Sequence, residues 1–415
     1  MLNILLAAVV AGATPAGTGD WTQWRGPARD AIAAPGEAQA WPTALTSRWR
    51  SAVGSGQSSP VVSGDTVFVF GRDGEEEVAR ALSLRTGAEI WRRGYPAPYR
   101  VYPGAASFGA GPKSTPVFHD GRLFTLGISG ILTAFDAKDG RIAWQKDFTG
   151  RFPATAPPFG TSMSPLVAAG RLIVHAGGHD GGALIAFDPT TGREAWTLAG
   201  DGPSYSSPIV TSFDGQDQIV IQVHRKILGV DPTSGKSLWS VPFVTPCDQN
   251  IVTPLRAGDL IVASSQDTGT QGIRIVRKGA GWEPVVAWHV HDVSMYMSSP
   301  VLVNGRVVGL SQKKRGQYFA LNPATGAVES TSEPGQGENA AFVAAQGGLL
   351  LLQGDGNLLV LPTDGTSFAP LRRYHVADSP TYAHPVPTAL GILVRDESGL
   401  SLFGTADRAA AERPR

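Results

Sequence analysis

One phrase recurs along this sequence: a small residue, an apolar residue, usually Asp, then a turn ending in Gly, with Trp ten positions after the small residue. Four copies keep the Trp and a fifth ends on Ser; they span residues 81–91, 134–144, 186–196, 229–239 and 320–330. A repeat of fixed spacing means that one structural unit is built several times. The repeat therefore limits the possible architectures more strongly than composition does.

A second phrase, Ser-Pro or Thr-Pro before aliphatic residues, has its prolines at Pro60, Pro116, Pro165, Pro208, Pro254 and Pro300. By subtraction, these lie 56, 49, 43, 46 and 46 residues apart, and Ala341 and Pro385 continue the series after 41 and 44 residues. Periods of about 40–50 residues, with room for four short strands, are typical of propeller blades. The sequence predicts an all-β, eight-bladed β-propeller over residues 45–404.

Composition agrees with this fold class and narrows the possible partners. The chain has 51 Gly and 31 Pro, and no long stretch of helical periodicity follows the N-terminus. Lys plus Arg and Asp plus Glu both total 35, so the net charge is zero. This balance argues against nucleic acid as a partner.

The first residues predict export. An apolar run from Leu2 to Ala13 ends in a small-x-small pattern, so residues 1–16 are interpreted as a signal peptide, with a disordered apolar N-terminus as the alternative. The run is too short to span a bilayer, and no transmembrane span is expected in the mature chain. Cys247 is the single cysteine and is far from the cleavage point. We therefore expect a periplasmic or extracellular protein that is not a lipoprotein.

The two chain ends are expected to complete the ring. Residues 17–44 carry Trp21, Trp24 and an Arg-Gly-Pro turn, and we expect this arm to pack on the outside of the ring. The strand-like segment Leu45 to Arg50 should supply the outer strand that the last blade lacks, which would leave no open sheet edge. Residues 405–415 are expected to be a disordered tail.

Tryptophan residues are expected at the seams between blades, where they dock on a neighbour and bury large apolar rings. The predicted docking residues are Trp49, Trp91, Trp144, Trp196, Trp239 and Trp288.

The Ala-x-Asp-x-x-Thr-Gly-x-x-x-Trp pattern resembles the tryptophan-docking motif of the eight-bladed pyrroloquinoline-quinone (PQQ) dehydrogenases and their non-enzymatic relatives. Those relatives include BamB, a scaffold lipoprotein of the machinery that assembles outer-membrane β-barrels. The resemblance covers about residues 45–404. It implies the propeller fold strongly and the function weakly.

The dehydrogenase alternative depends on a PQQ and Ca²⁺ site. In those enzymes a disulfide of adjacent cysteines covers the cofactor, and a single cysteine cannot form it. Smaller sugar dehydrogenases lack this disulfide, so PQQ remains open. If the chain is an enzyme, the resemblance implies Asp248, Asn250 and Glu338 as Ca²⁺ ligands, whereas ordinary turn residues are the simpler interpretation. We expect no cofactor and no catalysis.

The loops that enter the inner strands should meet at one mouth of the ring. The candidate binding residues are Lys113, Met163, Tyr205, Asn250, Tyr296, Glu338 and His384. Mixed aromatic and polar side chains there would make a recognition surface, although tyrosines at these positions could instead cover the core. His289 and His291 share one strand face with spacing that suits a metal, but an exposed outer strand is the favoured interpretation.

These features together favour a monomeric binding or scaffold propeller of the cell envelope. Its partner would be an envelope protein or a small molecule. The alternative is an unusual PQQ- and Ca²⁺-dependent dehydrogenase of alcohols or sugars.

Overall fold

The computed structural model of the chain describes residues 20–34, 41–246 and 248–405. It contains eight antiparallel sheets of four strands each, and these are the predicted blades. The expectations for the signal peptide, for most of the C-terminal tail and for Cys247 fall outside the described residues. No helix within the described parts is long and apolar enough to cross a membrane.

The N-terminal strand β1 spans Leu45–Ala52 and belongs to the last blade. Blade one contains β2 to β5, at Val61–Ser63, Thr66–Asp73, Glu76–Ser83 and Glu89–Pro96. Blade two contains β6 to β9, at Val117–His119, Arg122–Leu126, Leu132–Asp136 and Ile142–Lys146. Blade three contains β10 to β13, at Leu166–Ala168, Arg171–Gly178, Gly181–Phe187 and Glu194–Gly200. Blade four contains β14 to β17, at Ile209–Phe213, Gln216–Gln222, Lys226–Val230 and Ser237–Pro242.

Blade five contains β18 to β21, at Leu255–Ala257, Leu260–Ser265, Gly269–Lys278 and Gly281–Val290. Blade six contains β22 to β25, at Val301–Val303, Arg306–Ser311, Gln317–Leu321 and Val328–Thr331. Blade seven contains β26 to β29, at Ala340–Ala345, Gly348–Gln353, Asn357–Leu361 and Arg372–His375. Blade eight contains β30 to β32, at Val386–Thr388, Gly391–Arg395 and Gly399–Thr405, followed by β1. Short 3₁₀ turns lie at Pro103–Phe108 and Lys313–Arg315.

The ring is closed by its N-terminal strand, as predicted. Strand β1 pairs antiparallel with β32, from Leu45 opposite Thr405 to Ala52 opposite Gly399. The last blade therefore combines strands from both ends of the chain. This closure leaves each blade with a neighbour on both sides.

The repeated phrase has a simple structural reason. Its small residue lies directly opposite the tryptophan on the neighbouring strand, as Ala134 lies opposite Trp144, and the register then shifts by a bulge. The same arrangement pairs Ala81 with Trp91 and Ala186 with Trp196. A small side chain is needed opposite the tryptophan because the indole points toward the next blade and occupies the space beside it.

The turn within each repeated phrase packs against the tryptophan indole of the preceding blade. The Asp188 carboxylate accepts hydrogen bonds from the backbone N–H groups of Thr190 and Thr191, which shapes the turn. Trp144 of the preceding blade lies over Gly192 and donates its Nε1–H to the Pro189 carbonyl at 3.1 Å. A Cβ on Gly192 would lie 2.7 Å from the indole, and its φ of +68° also favours glycine.

Five of the six predicted docking tryptophans make this contact with the next blade. Each donates Nε1–H to a carbonyl of the neighbouring turn: Trp49 to Leu84, Trp91 to Ala137, Trp144 to Pro189, Trp196 to Pro232 and Trp288 to Pro323.

Trp239 is buried at the seam between blades four and five, but it makes a different hydrogen bond from the other five tryptophans. Its Nε1–H donates to Gln218 of its own blade at 2.6 Å, because blade five has no Thr-Gly turn to receive it. The long β20–β21 hairpin instead reaches back over blade four, where Trp282 contacts Phe213 with ring centroids 6.2 Å apart. The sequence phrase gives no sign of Trp282, since it follows the turn of this hairpin directly.

The Ser-Pro and Thr-Pro phrases form a belt of hydroxyl groups around the axis. Five of the six hydroxyl oxygens accept a backbone N–H from the adjacent blade, with N to O distances of 2.9–3.0 Å: Ser59 to Thr115, Thr115 to Ser164, Ser164 to Ser207, Thr253 to Ser299 and His384 to Ser59. These inner strand starts are buried, so the hydroxyls satisfy N–H groups that water cannot reach.

Candidate functional site

The N-terminal arm lies across the ring axis, in contrast to the expectation that it packs outside. Trp21 exchanges two backbone hydrogen bonds of 2.9 Å with Val62 of blade one. Further along, Ala33 and Ala344 of blade seven are joined by a 2.8 Å hydrogen bond. Between these two contacts the arm also reaches the inner strand starts of blades three, five and six, through Arg29, Trp24 and Arg25, so its path crosses the central channel.

Two arginines hold the arm there. Arg29 donates to the carbonyls of Pro165 and Ser164 in blade three, at 2.8 and 3.1 Å, and Arg25 donates to the Pro300 carbonyl in blade six. Both side chains are buried. Burial lowers the pKa of Arg25 to about 10, and burial together with the Arg25 charge lowers the pKa of Arg29 to about 9. Sequence pattern cannot place such contacts, because an arginine that binds distant carbonyls leaves no periodic signal.

A cavity of about 380 Å³ lies above the arm, on the side where the inner strands begin. Its floor contains Trp24, whose Nε1–H donates to the Thr253 hydroxyl at 3.0 Å and whose ring meets His384 edge-on at 4.6 Å. Belt hydroxyls of Ser207 and Ser299 also face it. Concave pockets of this size are typical of small-ligand sites.

Aromatic side chains from several blades form its walls: Phe108, Phe159, Tyr205, Tyr296 and Tyr382. Amide groups of Gln57, Gln249 and Asn339 add polar contacts. Lys113 is the charged side chain in this wall; its Nζ donates to the Phe159 carbonyl at 2.9 Å and lies 5.3 Å from the centroid of the Phe108 ring.

The seven candidate mouth residues divide between this cavity and its surroundings. Lys113, Tyr205 and Tyr296 line it. Met163 and His384 are buried beneath, Met163 in the apolar cluster between blades two and three. Asn250 is also buried, and Glu338 is exposed.

Of the three candidate calcium ligands, Asp248 and Asn250 both contact His224, and Glu338 lies at the start of blade seven. Asn250 donates its amide to the carbonyls of Val223, His224 and Phe243, at 2.9–3.2 Å, so its side chain braces blade four. Asp248 lies beside His224, while Glu338 is exposed at blade seven. Among the described residues, no group of three His, Cys, Asp or Glu side chains is arranged to hold a metal. Asp248 and Glu338 belong to no such group. His289 lies on the exposed strand β21 and His291 just after its end, with ring centroids 3.9 Å apart.

A stacked histidine pair supports the cavity wall behind Tyr205. The rings of His179 and His224 lie 4.2 Å apart, and His179 meets the Tyr205 ring at 5.6 Å. His224 Nε2 lies 3.1 Å from an Asp248 carboxylate oxygen. Burial, with a smaller effect of the nearby His224, lowers the pKa of His179 to about 4.

His175 makes stability depend on pH. It is buried, its Nε2 lies 3.0 Å from the Asp201 carbonyl, and burial lowers its pKa to about 4. The unfolded chain binds the proton near pH 6.5, so the stabilisation is complete above that pH and is lost as pH falls toward 4. Between pH 7 and 5 we expect His175 to account for a loss of about 2 kcal/mol in unfolding free energy.

Urea unfolding of wild type and His175→Gln at both pH values would measure this contribution. The variant should lose less stability on acidification than the wild type does. Equal losses in the two proteins would contradict the assignment to His175.

Fold and site together define an eight-bladed β-propeller with tryptophan docking between blades. Its N-terminal arm crosses the central channel, and an aromatic cavity lies at one mouth. The chain belongs to the family described as outer membrane protein assembly factor BamB, which matches residues 74–332.

Individual relatives fall into two groups. The chain is 27% identical to BamB of Kangiella koreensis over 43% of each protein, and 24% identical to BamB of Burkholderia pseudomallei over 75% of this chain and 86% of that one. It is also 29% identical to the quinohemoprotein alcohol dehydrogenase ADH-IIG of Pseudomonas putida, over 42% of this chain and 25% of the enzyme. The match thus spans less than half of the Kangiella protein.

Solved structures agree on the fold. BamB from Moraxella catarrhalis superposes with a TM-score of 0.61 at 15% identity, over 87% of this chain and 99% of that one. Quinohemoprotein alcohol dehydrogenase from Comamonas testosteroni superposes with a TM-score of 0.68 at 14% identity, over 94% and 81%. At these identities the likeness concerns the fold alone.

Proposed function

We propose that this protein is a monomeric binding propeller of the cell envelope that recognises its partner through the axial mouth and catalyses no reaction. The observation that carries the proposal is the cavity of about 380 Å³ lined by aromatic and amide side chains above the arm. Concave, mostly aromatic sites with a few polar groups are where proteins bind ligands and partner side chains. The family relationship supports a scaffold role beside outer-membrane assembly, in the periplasm or outside the cell.

The dehydrogenase alternative has less support. It requires PQQ and Ca²⁺ at the mouth, and among the residues that the structure describes no group of three His, Cys, Asp or Glu side chains is arranged to hold a metal.

Site-specific photo-crosslinking in the native envelope tests the proposal. A benzoylphenylalanine would replace Tyr296 or Tyr382 at the mouth and, as matched controls, the exposed Ile142 or Val328 on outer strands. We expect defined adducts from the two mouth positions and none from the two outer positions. Adducts formed only at the outer strands would contradict recognition through the mouth.

A further inference from the structure

We propose that the axial cavity binds an acidic sugar, a hexuronate or the hexuronate end of a glycan, with its carboxylate on Lys113 and its ring against the aromatic walls. The inference rests on the proposed function of the mouth as a recognition site, and it adds the chemical class of the ligand. Three properties of the lining lead to this class.

The first property is that several neutral side chains of the cavity lining can both donate and accept hydrogen bonds. Amides of Gln57, Gln249 and Asn339 line the cavity together with hydroxyls of Ser207 and Ser299. Each of these two hydroxyl oxygens already accepts a backbone N–H, so its own O–H can donate toward a ligand. Sugar hydroxyls also donate and accept, and a wall of this kind can satisfy several at once.

The second property is the orientation of the aromatic rings. Phe108 and Tyr382 meet at 65° with centroids 5.5 Å apart, and Phe159 and Tyr205 meet at 76° and 5.9 Å. These edge-to-face pairs do not form the parallel slot that would hold a flat polycyclic ligand. A puckered pyranose ring presents C–H groups in several directions, and the negative faces of differently oriented rings attract such hydrogens.

The third property is a single positive charge without an acidic partner. Among the described residues no ion pair involves Lys113, whose Nζ donates to the Phe159 carbonyl, and no Asp or Glu lines the cavity. Burial lowers the pKa of Lys113 to about 8. A ligand carboxylate would offset the cost of holding this partly buried ammonium group charged. The lining thus favours one negative charge on an otherwise hydroxyl-rich ligand.

Calorimetric titration of the whole chain at pH 7 tests the inference, with D-galacturonate, D-glucuronate, D-glucose, benzoate and PQQ as separate probes. We expect saturable binding of at least one hexuronate and at least tenfold weaker binding of glucose, since glucose lacks the charge-assisted contact. Lys113→Met should weaken hexuronate binding at least tenfold. The exposed Lys138→Met is the matched control and should bind as wild type does.

A second variant, Gln57→Leu, keeps Lys113 and should also weaken the hexuronate, which separates recognition from a folding defect. Unchanged affinity in Lys113→Met, equal binding of glucose, binding of benzoate or PQQ in preference to hexuronates, or no binding by any probe would each overturn the inference. The proposed function fails separately, if the mouth positions give no crosslinked adducts. Adducts at the mouth without hexuronate binding would reject the ligand class alone.

Discussion

Replacing Trp91 with alanine is expected to lower the free energy of unfolding by about 3–5 kcal/mol. The Trp91 indole is buried between blades one and two, covers Gly140 and donates to the Ala137 carbonyl at 2.9 Å. Alanine would leave a void at the seam and an unsatisfied carbonyl. Trp91→Phe should lose less, because it keeps an aromatic ring and removes mainly the hydrogen bond.

Urea denaturation followed by circular dichroism would measure both variants. The matched control is Ile90→Ala, since Ile90 precedes Trp91 on the same strand and is 55% exposed. We expect the control to change stability by less than about 0.5 kcal/mol. A Trp91→Ala protein as stable as the control would show that docking on the turn does not join the blades.

Replacing Arg29 with alanine is expected to loosen the arm and to lower stability by about 3 kcal/mol. The change removes hydrogen bonds to the Pro165 and Ser164 carbonyls, which are buried beneath the cavity floor. Unsatisfied buried acceptors are costly, and the loss should be felt along the arm as far as Trp24.

Amide hydrogen exchange measured by mass spectrometry would follow the arm directly. Residues 20–34 should exchange faster in Arg29→Ala than in wild type, and unfolding in urea should occur at lower concentration. Arg193→Ala, at an exposed turn, serves as the control and should leave both measurements unchanged. Unaltered exchange of the arm in Arg29→Ala would contradict its role as an anchor.

The ring could be predicted from the sequence because its determinants are local and repeated. Ala134, Gly192 and Trp144 each occupy a position where only one kind of side chain fits; the turn glycine recurs in all five copies of the phrase and the tryptophan in four. The closing strand was predictable for a related reason: a final blade with three strands needs a fourth. The hydrogen-bond partner of Trp239 could not be predicted from its own copy of the phrase, because it depends on the turn that the following blade supplies.

The mouth could be predicted only in part. Side chains just before the inner strands point in turn to the cavity and to the core. Lys113 and Tyr205 therefore line the cavity, while Met163 is buried in the core. The contribution of Trp24 depends on the path of the arm across the axis. That path is set by long-range hydrogen bonds from Arg25 and Arg29, which carry no local pattern.

Titration of the purified chain with PQQ, in the presence and absence of Ca²⁺, followed by dye reduction with alcohols and sugars, tests most directly whether this propeller binds without catalysing. We expect no Ca²⁺-dependent binding of PQQ and no dye reduction, because in the described part of the chain no group of three His, Cys, Asp or Glu side chains is arranged to hold a metal. Calcium-dependent PQQ binding accompanied by dye reduction would contradict the binding-protein proposal and establish the mouth as an active site.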